Sequence, residues 1–145
     1  MKRIPIQWRL FLAAVIVAIL CGCAQTRIVF DPNASQQPIF DGERLRLTSE
    51  YARSHYGEAT WQLKQPKVIV VHYTAIPTLE GTLTFFRPVL LDREFRKDIA
   101  TGGDVNVSIH YVVDKDGTLY QLAPEDVICR HTIGYNHTSI GIENV

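Results

Sequence analysis

Residues 68–71 are four consecutive β-branched residues with no polar break, preceded by Pro66 and followed by His72-Tyr73-Thr74. Such a run predicts a strand covered on both faces. Leu79, Leu83 and Phe86 then recur at i, i+4 and i+7. With Thr78 as cap and Arg87-Pro88 as terminator, they predict a helix over residues 78–86. Residues 105–113 are rich in β-branched and aromatic side chains, Asp114-Lys115-Asp116-Gly117 supplies a turn, and residues 118–122 make a return strand. This pattern predicts a β-hairpin, with Val107, Ile109 and Tyr111 on one face and Ser108, His110 and Val112 on the other. Residues 139–145 begin a further strand. Upstream, Thr48 or Ser49 caps a short helix that ends near Tyr56, with Gly57 just beyond. Residues 87–104 and 123–138 read as loops. The whole predicts an α/β fold, a mixed central sheet flanked by helices.

The N-terminal pattern is of another kind. Lys2, Arg3 and Arg9 precede an apolar run over residues 10–20, and Cys21-Gly22-Cys23 follows. A basic start, a short apolar core and a small-residue end make a secretory signal peptide over residues 1–22. The run is shorter than the ~20 apolar residues a membrane-spanning helix needs. Leu20-Cys21-Gly22-Cys23 resembles a bacterial lipobox, which implies cleavage before Cys23 and lipid attachment to its sulfur. The alternative is an ordinary signal peptide or an uncleaved anchor. Residues 23–47, polar and holding Pro32, Pro38 and Gly42, read as a tether between the lipid and a domain over residues 48–145, with its core from about residue 66. The lipid would attach the protein to a membrane of the cell envelope. The absence of an aspartate next to Cys23 points to the outer membrane if the host is Gram-negative.

Composition narrows the function. The 145 residues carry 15 basic and 15 acidic side chains and are 46% hydrophobic. That is one globular domain, without the basic excess of a nucleic-acid binder. Loss of Lys2, Arg3 and Arg9 with the signal leaves 12 basic against 15 acidic residues, a net charge of −3. Cys129 is then the free thiol, expected to be buried and inert. The run that stops at Val145 without cap or polar tail suggests a chain incomplete at its C-terminus, the alternative being a small complete domain. His72, at the end of an apolar strand, suits a metal ligand, a catalytic base or a hydrogen-bonded structural histidine. Glu143 sits within an apolar strand, where an unpaired carboxylate is costly to bury. It faces a site or, as an edge residue, water.

Three blocks, VIVVHYTA (68–75), VSIHYVVDKDGTLYQL (107–122) and RHTIGYNHTSIGIENV (130–145), together resemble the zinc-dependent N-acetylmuramoyl-L-alanine amidases. These include phage lysozyme-type amidases and resemble peptidoglycan-recognition proteins. The resemblance implies a Zn2+ cofactor, His72 as a zinc ligand, Glu143 as general base, and His131, Asn136 and Ser139 along the substrate cleft. It implies peptidoglycan as substrate and a monomer. It also implies two further ligands, a histidine and an Asp or Cys, which the family carries beyond the matched blocks. Ile109 stands where some members have a tyrosine, which favours Glu143 as the base. A self-contained zinc site would have to recruit His110, His131 or His137. The competing expectation is a lipoprotein that binds peptidoglycan without cutting it.

Overall fold

The computed structural model describes residues 30–145. The predicted signal peptide, Cys23 and the first part of the predicted tether lie outside the described residues. Five strands form one mixed sheet: β1 (Ser35–Gln36), β2 (Val68–Tyr73), β3 (Tyr111–Val113), β4 (Leu119–Gln121) and β5 (Ser139–Asn144), in the order β1-β4-β3-β5-β2. β3 and β4 are the antiparallel hairpin expected from the turn at residues 114–117; the other pairings are parallel. Helix α1 is Gly42–Tyr56 and helix α2 is Leu79–Phe86. The α/β class and the mixed sheet therefore stand as expected.

Helix α2 matches its sequence signals. The Thr78 side chain accepts from the Gly81 N–H, and Leu83 and Phe86 enter the core with Ile109, Val112 and Leu122. Helix α1 ends where expected, on Gly57 in the left-handed region at φ 78°. Its start differs. Asp41 is the N-cap, its carboxylate accepting from the Arg44 N–H at 2.8 Å. The described part of the predicted tether is thus folded, giving β1 and the first turn of α1. The reason lies in long-range contacts, since Gln37 and Ile39 donate their N–H to Gln121 and Leu122. Arg44, fully buried, reaches from α1 to the C-terminal end of α2. Its Nη2 donates to the carbonyls of Phe86 at 2.9 Å and Arg87 at 3.0 Å, and also to that of Pro88. A cation there complements unpaired carbonyls in a helix whose last turn has no basic residue of its own.

Two further expectations are corrected. The hairpin strands are shorter than residues 105–113 and 118–122, because the chain bends at His110. The bend breaks the predicted alternation: Ile109 and Val112, assigned to opposite faces, share one core cluster. Among the described residues, β2 is not covered on both faces. It is an edge strand, and Ile69, Val71 and Tyr73 are 66%, 67% and 87% exposed. The β-branched run reported the strand correctly but not its coverage, which depends on what packs against it.

Candidate functional site

The site grows from the register of three strands. β5 lies between β3 and β2, and the pairings Val112↔Glu143 and Glu143↔His72 set the three residues in one row. Glu143 is therefore not on an edge strand facing water; it is 9% exposed in the sheet interior. No hydrogen bond within the described residues reaches its carboxylate, and burial pushes its pKa up from the usual carboxylate value. Burial likewise lowers the pKa of His72, which favours a neutral imidazole with a lone pair to offer.

The loop before β5 brings His131 over the same face. Its Nδ1 lies 3.1 Å from His72 Nε2, with the rings edge-to-face at 5.3 Å. Gly141 makes the approach possible, because a Cβ there would stand 2.8 Å from His131 Nδ1 and 2.5 Å from Ile109 Cδ1. Asn136 holds the loop: its Oδ1 accepts from the N–H of His131 at 2.9 Å and of Thr132 at 2.7 Å, and its Nδ2 donates to Tyr51 Oη at 3.0 Å. Ser139, fully buried, donates its hydroxyl to the Tyr135 carbonyl at 2.8 Å and contacts His131 Nε2 at 3.2 Å. The polar atoms of Asn136 and Ser139 are thus committed inside the protein. Burial, with His110 and His72 nearby, pushes the His131 pKa down to about 3.

The neighbouring Arg130 ties this loop to residues 99–105, donating to the carbonyls of Ile99 at 2.7 Å, Val105 at 2.6 Å and Gly103 at 3.1 Å. Beside it opens a cleft of about 510 Å³, lined by Tyr51, His55, Arg96, Thr132, Ile133 and His131 among others. Sequence reasoning missed Gly141, Arg130 and Tyr51 as parts of this site. The Gly within Ser139-Ile140-Gly141-Ile142 was the one available signal, since glycine in a strand marks a close approach.

The other histidines are accounted for. His110 is fully buried, with Nε2 at 2.9 Å from the Val127 carbonyl and Nδ1 accepting the Gly141 N–H at 3.0 Å. Both nitrogens are occupied, so it has no lone pair for a metal. His137 stacks on Tyr56 at 4.1 Å and lines a different cleft. His55 stacks on Tyr51 at 4.0 Å. Cys129 is fully buried, and burial raises its thiol pKa. Among the described residues no three His, Cys, Asp or Glu side chains gather into a set that would hold a metal ion. The residues present do fit one ligand and its attendant base. Burial shifts His72 towards the neutral form, its Nδ1 meets no partner among the described residues, and a carboxyl stands beside it in register.

The sequence profile of the N-acetylmuramoyl-L-alanine amidase family matches residues 62–145. The chain belongs to that family. Among solved structures, this amidase-family chain is similar to a selenomethionine derivative of AmpD, with 20% identity over 79% of this chain and 62% of that one and a TM-score of 0.48. It is similar to N-acetylmuramoyl-L-alanine amidase LysC from Clostridium intestinale URNW, with 17% identity over 79% and 59% and a TM-score of 0.40. It is also similar to the Ph2119 endolysin from Thermus scotoductus MAT2119 bacteriophage Ph2119, with 22% identity over 64% and 56% and a TM-score of 0.38. The chain thus spans less than two thirds of each of these structures. Comparison with curated proteins gives no match.

Proposed function

We propose that this protein hydrolyses the amide bond between N-acetylmuramic acid and L-alanine in peptidoglycan, with Zn2+ held in part by His72. The observation that carries the reading is the row His72–Glu143, an imidazole whose pKa burial lowers beside a buried carboxyl whose pKa burial raises. When bound, zinc supplies a water that ionises near pH ~7 and a polarised substrate carbonyl. Glu143 takes the proton from the attacking water and passes it to the leaving nitrogen of L-alanine, because its raised pKa suits it to both transfers. His131 borders the 510 Å³ cleft that would receive the muropeptide, while Asn136 and Ser139 hold His131 in place. A catalytic zinc site takes three protein ligands. The ligands besides His72 are proposed to come from outside residues 30–145. The lipobox supports attachment through Cys23 to an envelope membrane.

The test is digestion of purified peptidoglycan by the full-length protein, counting released peptides with a free L-alanine amine alongside metal content. Glu143→Ala should retain zinc and lose ~10²–10⁴-fold in turnover. His72→Ala should lose zinc and activity together. Near-normal turnover in Glu143→Ala would falsify the base assignment. A protein that binds muropeptides, holds no zinc and releases nothing would instead be the non-catalytic binder.

A further inference from the structure

We propose that Ser139 and His131 form a one-way hydrogen-bond relay that presents His72 to a metal ion through Nδ1. This goes beyond the amidase reading, and rests on it only in naming the metal as zinc.

The direction of the relay follows from its last acceptor. The Tyr135 carbonyl has no hydrogen to give. Ser139 Oγ stands 2.8 Å from it and commits its single O–H there. Towards His131 Nε2, 3.2 Å away, the hydroxyl can then only accept, so the proton of His131 sits on Nε2. A neutral imidazole has one N–H, and His131 Nδ1 is therefore a lone pair. That lone pair meets His72 Nε2 at 3.1 Å, which places the proton of His72 on Nε2. The nitrogen left to ligate is His72 Nδ1, which nothing among the described residues bonds. A metal-bound histidine ordinarily donates its other N–H to an acceptor that fixes ring and tautomer. Here that acceptor is a second histidine, itself fixed by a serine and a carbonyl.

The surroundings leave the relay little freedom. Ser139 is fully buried, Asn136 holds the His131 backbone, and Gly141 admits the ring where any Cβ would displace it. His110 stands apart, 6.0 Å from His131 between ring centroids. The Val127 carbonyl and the Gly141 N–H fix it independently as the Nε2–H form. It therefore serves as an internal reference for an intact sheet.

Ring 15N chemical shifts separate protonated from lone-pair nitrogens, so the test is a long-range 1H–15N spectrum of the labelled full-length protein without metal. His72, His110 and His131 should all appear as Nε2–H tautomers. In Ser139→Ala, His131 and His72 should become tautomer mixtures while His110 is unchanged. Zinc added to the wild type should perturb His72 Nδ1, and Ser139→Ala should bind it ~10–100-fold more weakly. His72 as the Nδ1–H form in the wild type overturns the relay. So do unchanged tautomers in Ser139→Ala, a shift of His110 along with the others, or zinc acting on His72 Nε2 and His131 Nδ1 as a chelating pair. If the tautomers and zinc response are as expected but peptidoglycan is not cut, the amidase reading fails and the relay stands.

Discussion

A Cβ built on Gly141 would stand 2.5 Å from Ile109 Cδ1 and 2.9 Å from His131 Cγ, distances at which a neighbour must move. Ile109 is fully buried in the main core cluster, so the ring of His131 is the part that yields. Gly141→Ala is therefore expected to cost ~1–3 kcal/mol by overpacking. It should also separate His131 from His72. Urea unfolding measures the first effect, and the ring 15N spectrum the second; an unchanged His72–His131 contact would show that Ile109 gives way instead. At this scale the sequence was informative about residue identity and silent about direction. His72 and Glu143 stood out as polar residues in apolar strands, but the roles expected of them came from the family resemblance. Asn136 and Ser139 entered only through that resemblance, as residues along the cleft, and not as residues whose polar atoms turn inward. That depends on the Tyr135 carbonyl and Tyr51 hydroxyl meeting them in space, across 4 and 85 positions of chain.

At the scale of elements, the bend at His110 ties together the end of the hairpin at Leu122, the loop at Val127 and strand β5. Its carbonyl accepts from Leu122 N–H at 2.8 Å, and its ring bonds the Val127 carbonyl and the β5 N–H of Gly141. Burial holds the His110 pKa near 4 against an ordinary 6.5. The unfolded chain thus takes up a proton that the folded chain refuses. Stability is fully present above about 6.5 and falls as pH drops from there towards 4. Urea midpoints measured from pH 7.5 to 4.5 should decline across this window, with a shallower decline in His110→Gln. An equal slope in that variant would assign the acid lability to the other two histidines whose pKa burial lowers, His72 and His131. The same bend explains why the hairpin was legible in outline and not in phase. Alternation is a property of continuous strand, and His110 interrupts it with bonds to residues 12 to 31 positions away. Helix α2 was legible at both ends because its cap and terminator are local. Helix α1 was legible only at Gly57, because its start depends on Asp41 and on the strand contacts that draw in residues 35–39.

At the scale of the molecule, the sheet formed by the described residues has two unlike faces at β2. His72 lies on the face shared with Glu143 and Val112, whereas Ile69, Val71 and Tyr73 point the other way and stand more than half exposed beside half-buried Ile140 and Ile142. A contiguous apolar row on an edge strand is a site for hydrophobic adsorption. The protein should therefore bind the dye ANS in its native state. Val71→Lys should reduce that fluorescence at least twofold, since it places a charge in the middle of the row. Because side chains alternate along a strand, the substitution leaves the His72 face untouched. Its effect on stability should stay within about 0.5 kcal/mol, as for an exposed position that packs against little. The measurement is dye titration together with urea unfolding and the His72 ring spectrum. Undiminished ANS binding in Val71→Lys would mean that the adsorbing surface lies elsewhere. A large loss of stability would mean that Val71 is covered in solution, and the two faces of β2 would then be alike, as the unbroken run at residues 68–71 first implied.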